Sequence, residues 1–364
     1  MDMGVSILDR IIASKEDQEK QEFEPGDVVR VLLAKLNDKE ADVLQRRYGL
    51  NGVPKETLEA IGVSYTVTRE RIRQIENLAV SKIKLHPSLQ VVLKPIEHVI
   101  LTTLEEHGGI MQESHLLSEV LLEKSTVELE AALVFILTEL LSARVMSVGP
   151  DKTFMKSWRI KTADIKFITE SLDLLVRTIG TANIPLNVAG IMNLIPPDAR
   201  LTEKTIIALL EVSDAIDHNP FDEYGLRAWG SVVPKRMNDK IYLILKKVSK
   251  PMHFVDIAQQ ITEVFKKEAH PPTVHNELIL NSQYVLVGRG IYALKEWGYE
   301  KGAVADIVKK ILTERGPLTR DQLVTAVLEQ RIVKKNTIHL ALTNRRLFSK
   351  LPDGRYTVVY APAA

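Results

Sequence analysis

Residues 67–76, VTRERIRQIE, set three arginines and two glutamates around two isoleucines. Side chains of these types suit hydrogen bonding to base edges in duplex DNA. Arginine grips guanine O6 and N7 as a bidentate fork, glutamate accepts from cytosine N4, and glutamine pairs with adenine. A helix over 68–84 places Ile72, Ile75, Ala79 and Ile83 on one stripe that must be buried. Its opposite face presents Arg69, Glu70, Arg73 and Gln74 at the N-terminal end, the part of a recognition helix that enters a major groove. Lys82 and Lys84 lie further along, suited to phosphate. Five basic and two acidic residues between 68 and 84 give a local charge of +3 in a chain that totals +1. The bland reading is a solvated face on which Glu70 pairs with Arg73 or Arg69.

The elements that must position these groups lie on either side. The polar run 14–27 ends in Pro25 and Gly26 and reads as a linker after an amphipathic stretch near the N-terminus. From Asp27 the text turns helical, with Val28, Val31, Leu32 and Leu36 on one stripe that Ala41, Leu44 and Tyr48 continue. GLNGVP (49–54) breaks the run, and helices are predicted over 56–63 and 68–84. The first of these carries Leu58 and Ile61, against which the isoleucine stripe packs.

Beyond Pro87 a repeat emerges. Aromatic ends recur at Trp158, Trp229, Trp297 and Tyr360, a period of 63–71 residues. Threonine-led segments precede them: TIIALL (205–210), TVHNEL (273–278), TIHLAL (337–342) and the looser TVELEAAL (126–133). Each unit reads helix, helix, threonine-led helix, then two alternating segments joined by a turn, as in YVLV-GRG-IYALKEW (284–297). The threonine is expected to cap the third helix. The terminal aromatics are expected to alternate across the last strand and bury against the helices.

The predicted fold class is therefore mainly α with small β-hairpins, an N-terminal helix-turn-helix followed by four tandem winged-helix domains. The expected boundaries are 1–26 for the N-terminal helix and linker, 27–87 for the helix-turn-helix, and 91–160, 161–232, 236–298 and 301–361 for the winged helices.

At 364 residues the chain exceeds one ordinary core. Its composition, 45% hydrophobic and 26% charged, is that of a folded protein. The absence of cysteine removes disulfides, thiolate metal sites and a cysteine nucleophile, and fits a reducing cytoplasm. The longest apolar runs fall short of a membrane span, so a membrane partner is not expected. No metalloprotease, phosphate-loop or serine-elbow pattern is present. The nine histidines read as scattered, and His275 and His339 occupy equivalent repeat positions. A non-enzyme with no cofactor and no metal is expected.

Residues 36–87 resemble region 4 of the bacterial primary sigma factors, the helix-turn-helix that reads the −35 promoter element. The resemblance rests on RRYGL (46–50), ETLEAIG (56–62), VTRERIRQIE (67–76) and SKIKLHP (81–87). It implies base contacts from Arg69, Glu70, Arg73 and Gln74, with Arg71, Lys55 and Thr68 among the DNA-binding positions. The turn SYTVT departs from a common helix-turn-helix pattern. Thr66 stands where glycine is frequent, and a β-branched residue resists positive φ, so a less standard turn is expected. Only about 35 residues precede the match, with Phe23 their single aromatic, so promoter opening as a free-standing sigma factor is not expected. The third repeat unit resembles the HARE-type winged helix also seen in the delta subunit of bacterial RNA polymerase; the match is weaker for the fourth unit and weakest for the first two.

These resemblances imply a cytoplasmic transcription regulator that binds double-stranded DNA, with RNA polymerase as a further partner. The alternative, from another class, is a delta-like accessory protein that grips the polymerase flap through Leu36, Leu44 and Tyr48 without reading bases. The target sequence, the direction of regulation and the oligomeric state are not legible.

Overall fold

The computed structural model describes residues 25–299, 302–333 and 335–359. The stretch read as an N-terminal helix and linker lies outside them except for Pro25 and Gly26. Those two residues open a helix rather than close a linker: α1 runs Pro25–Leu33, and proline suits a first helical position because its missing N–H has no intrahelical partner there.

Four further helices follow: α2 (Asp38–Tyr48), α3 (Leu58–Tyr65), α4 (Arg69–Leu85) and α5 (Leu89–Glu106). Their starts are written in side chains. Asn37 and Glu40 form a reciprocal capping box on α2, while Thr57 and Thr68 accept from the backbone N–H of Ala60 and Arg71 at 3.1 and 3.3 Å. Helix α2 stops at Gly49, whose φ of 73° places it in the left-handed region.

The next segment is β1 (Ile110–Gln112), α6 (Glu113–Leu121), α7 (Val127–Phe135), a wide turn over Ile136–Leu140, β2 (Val145–Val148) and β3 (Ser157–Ile160), the strands in the order β1-β3-β2. Then come α8 (Ile165–Ala182), α9 (Val188–Leu194), α10 (Glu203–Val212) and the strand pair β4 (Ile216–His218) and β5 (Tyr224–Leu226). The third repeat holds α11 (Met237–Val248), β6 (Met252–His253), α12 (Phe254–Phe265), α13 (Pro271–Leu280), β7 (Tyr284–Gly288) and β8 (Ile291–Leu294), with strand order β6-β8-β7. The last holds α14 (Val304–Arg315), α15 (Arg320–Leu328), α16 (Lys335–Leu342) and the antiparallel pair β9 (Phe348–Lys350) and β10 (Tyr356–Val358). The protein is thus mainly helical with small antiparallel sheets. No helix among the described residues is long and apolar enough to cross a membrane.

The described residues fall into two compact units, one running to Asp217 with Glu223–Arg227, the other comprising His218–Asp222 and the chain from Ala228. In the first, packing is continuous across residues 87–91. Val28, Leu32, Leu44, Ala79 and Ile83 share one core with Ile96, Leu116, Phe135 and Trp158. In the second, one core gathers Ile241, Ile257, Val274 and Tyr292, and another gathers Ile307, Leu323, Ile338 and Phe348.

Three local expectations are corrected. The buried face of α1 is Val28, Val29, Leu32 and Leu33, whereas Val31 is 44% exposed. Thr126 caps α7, but Thr205, Thr273 and Thr337 each sit third in their helices. In α10 the cap is Thr202, and in α13 Pro271 and Pro272 set the start one turn earlier than the repeat suggested. Of the terminal aromatics among the described residues, only Trp158 lies buried within a strand. Trp229 falls beyond β5, Trp297 sits half-buried in a 3₁₀ turn beyond β8, and Tyr360 lies outside the described residues.

Candidate nucleic-acid interface

Helices α3 and α4 meet through the turn Thr66–Thr68. Thr66 adopts φ 57° and ψ 39°, the left-handed conformation that its β-branch was expected to resist. Two backbone contacts over-determine it: Thr66 N–H donates to Val63 O at 3.1 Å and Val67 N–H to Gly62 O at 2.9 Å. Gly62 is needed beneath that turn, since a Cβ there would stand 2.8 Å from the Val67 carbonyl oxygen. The turn is therefore closed with a left-handed residue, with the steric cost carried by Thr66 and the close approach granted by Gly62.

The isoleucine stripe is buried, but against two cores rather than one. Ile72 and Ile75 pack with Val43 and Ile61, and with the half-buried Leu58, Tyr65 and Val67. Ala79 and Ile83 enter the larger core built from α1, α5, α6 and α7. Helix α4 is therefore gripped at both ends, by different partners.

Its other face is open. Thr68, Arg69, Glu70, Arg71, Arg73 and Gln74 are all exposed, as is Lys55 on the loop before α3. Two pairs organise the row. Arg73 donates to Glu70 in bidentate fashion at 2.9 and 2.7 Å, and Arg71 donates to the Gln74 amide oxygen at 3.0 Å. The Arg73 guanidinium holds the Glu70 carboxyl below the usual carboxylate range, so it is ionised at neutral pH. Arg73–Glu70 is the pairing expected of a solvated face, and it coexists with side chains 54% and 55% exposed. Such surface pairs are weak and exchange readily for other partners.

Lys82 and Lys84 are placed differently from the free phosphate ligands expected of them. Lys82 Nζ contacts the buried Glu40 carboxylate at 2.5 Å, and Lys84 Nζ lies 3.6 Å from Glu139. Both remain on the surface, yet each already neutralises an acid of the first unit.

The Leu36–Leu44–Tyr48 stripe, offered above as a polymerase grip, is used internally. Leu44 is fully buried, Leu36 packs on the same core, and the Tyr48 ring meets Phe135 edge-on at 4.8 Å. Tyr48 Oη donates to Glu139 at 2.9 Å, and burial together with that carboxylate pushes the phenol well above its ordinary range.

Sequence reading missed the knot that braces α2 against α3. Arg46 donates twice to Glu56 at 2.7 Å and once to Ser64 Oγ at 2.7 Å, while Arg47 lies 3.4 Å from Glu76. The string RRY carries no local sign of its partners, because the acids that explain it stand 10 and 29 residues downstream.

Residues 32–85 match the family model of sigma-70, region 4. The surrounding sequence is 47% identical over 79 residues to the RNA polymerase sigma factor SigA of Nostoc sp., covering 22% of this chain and 20% of that protein. It is 49% identical over 63 residues to SigA1 of Synechococcus elongatus, covering 17% and 16%, and to SigA of Microcystis aeruginosa, covering 17% and 15%. The chain thus spans a fifth or less of the length of these curated relatives. The matched segment resembles region 4 of sigma-70 in sequence and folds as a helix-turn-helix, and the match ends where α4 ends.

Proposed function

We propose that the chain is a sequence-specific DNA-binding transcription regulator that acts with RNA polymerase at promoter elements of the −35 type. The observation that carries this reading is the undivided exposed row Arg69, Glu70, Arg71, Arg73 and Gln74, mounted on the first turns of α4 within a region 4 helix-turn-helix. Arg69, Arg73 and Gln74 reach base edges, and Glu70 accepts from a cytosine amine. Thr68, Arg71 and Lys55 hold the flanking phosphates, aided by the positive N-terminal end of α4. On docking, Arg73 exchanges its exposed carboxylate partner for a desolvated base edge.

The segments 91–160, 161–232, 236–298 and 301–361 are, in this reading, four winged helices that add weaker contacts. Arg289, exposed at the tip of the β7–β8 turn, is one such contact to phosphate. Tethering raises the effective concentration of each module without any tight individual contact. Docking on polymerase without base reading is the poorer account, because its stripe of Leu36, Leu44 and Tyr48 is already covered.

Fluorescence anisotropy with duplexes that carry or lack a −35-like hexamer tests the proposal. Arg73→Ala and Gln74→Ala should each reduce the preference for the hexamer about tenfold or more. Lys55→Ala should weaken all duplexes alike and lower the salt slope by about one. Preference unchanged in both α4 variants would refute base reading.

A further inference from the structure

We propose that His107, His115 and Glu211 form a site for one divalent transition-metal ion of the zinc class, which clasps the α5–α6 segment to α10. The three residues come from different elements: His107 caps α5, His115 lies in the first turn of α6, and Glu211 is the penultimate residue of α10. His107 Nε2 stands 2.5 Å from Glu211 Oε2, and His115 Nδ1 stands 2.9 Å from Glu211 Oε1. The two rings are nearly perpendicular, with centroids 5.0 Å apart. One donor atom from each residue lies within 4.8 Å of the others.

Two imidazoles and a carboxylate are a familiar donor set for zinc. Donors about 2.0–2.1 Å from a tetrahedral ion are separated by about 3.3 Å. Small rotations of three side chains therefore convert the present hydrogen-bonded arrangement into a coordinating one. The other nitrogen of His115, Nε2, lies 3.6 Å from Glu119 Oε1, a charge contact too long for a hydrogen bond. The Gln112 backbone N–H donates to Glu211 Oε1 at 3.3 Å and steadies the carboxylate. The side chains of His107, His115 and Glu211 are 18%, 37% and 19% exposed, enough for an ion to enter and for water to complete the coordination.

The position suits a clasp. Nearby, Met155 N–H donates to Val212 O at 2.8 Å and Asp214 N–H to Thr153 O at 3.0 Å, so main-chain bonds already join the β2–β3 connection to the end of α10. The ion would lock that seam, at a distance in sequence from the DNA-reading row, and its function is structural.

The test uses the full, untagged chain stripped with a chelator. Cobalt(II) is titrated by visible absorption, and zinc(II) by calorimetry and thermal unfolding. One equivalent should bind and raise Tm. His107→Asn and Glu211→Gln should each weaken binding at least tenfold, since each removes a donor atom. His275→Asn, whose ring stacks on Phe254 at 4.4 Å elsewhere, should change nothing. Absence of a saturable equivalent in the unaltered chain overturns the proposal, whatever the variants do. So does binding that folded Glu211→Gln leaves intact, and the cluster is then an imidazole–carboxylate hydrogen-bond network alone.

Discussion

Gly62→Ala separates two opposing effects at the turn that aims α4, and the sign of the outcome identifies the winner. On helix propensity alone, alanine should stabilise α3 by about 0.8–1 kcal/mol. Against this, the new Cβ would lie 2.8 Å from Val67 O, 3.4 Å from Arg69 N and 3.5 Å from Thr68 C. All three are backbone atoms, so no flexible side chain can swing clear. The shortest contact falls about 0.6 Å short of the 3.4 Å at which ordinary contact begins. Over-packing of this kind costs about 1–3 kcal/mol, which leaves a net loss of about 0–2 kcal/mol. Relief requires the turn to lift off α3, which carries the N-terminal end of α4 with it. Hydrogen exchange of the α3 and α4 amides in the full chain measures the local opening free energy. It should fall by about 1 kcal/mol, and hexamer preference should weaken in the same variant. A gain of about 1 kcal/mol with preference intact would mean that propensity dominates and that this approach does not set the helix angle.

Two further outcomes follow from the packing around α2. Glu40 is buried, and although burial works against ionisation, its contacts with Lys82 and Asn37 hold the carboxyl below its ordinary range. Its contribution is complete above the unfolded-chain value and is lost as pH falls through the lower folded value. Glu40→Gln should therefore cost about 1 kcal/mol in urea unfolding at neutral pH, with the gap to the unaltered chain closing in acid; a gap that persists in strong acid contradicts this. Tyr48→Phe leaves the ring on Phe135 and deletes only the hydrogen bond to Glu139, so about 0.5–1.5 kcal/mol should be lost. An unchanged midpoint would show that the phenol is not engaged in solution.

What was legible in the chain was what periodicity and local chemistry encode. The spacing of Ile72, Ile75, Ala79 and Ile83 announced a buried stripe, and the polar residues between them announced an exposed one. Spacing cannot say what covers a stripe. Ile72 and Ala79 look equivalent in sequence, yet one meets Ile61 and the other enters a core with Phe135. The Leu36–Leu44–Tyr48 stripe was read as awaiting a partner because its cover, α7, arrives some 80 residues later. His107 and Glu211, 104 residues apart, leave no local pattern at all. The threonine marks failed for a subtler reason. A repeat reports equivalent positions, but whether a residue caps a helix or sits a turn inside it depends on neighbours such as Thr202 and Pro271.

The division of α4 between two cores bears on how a region 4 reader functions when joined to other folded segments. A helix anchored only through Ile72 and Ile75 could tilt within its small core, and on the proposed function this would blur the register of Arg69, Arg73 and Gln74. Here the trailing turns are fixed independently: Ile83 is 1% exposed within the larger core, and Lys84 and Tyr48 converge on Glu139. Tilting α4 would therefore disturb its contacts with α5 and the Lys84–Glu139 ion pair as well as those with α3. The first helix–strand segment acts as a mount for α4, and the shared core makes packing continuous across residues 87–91.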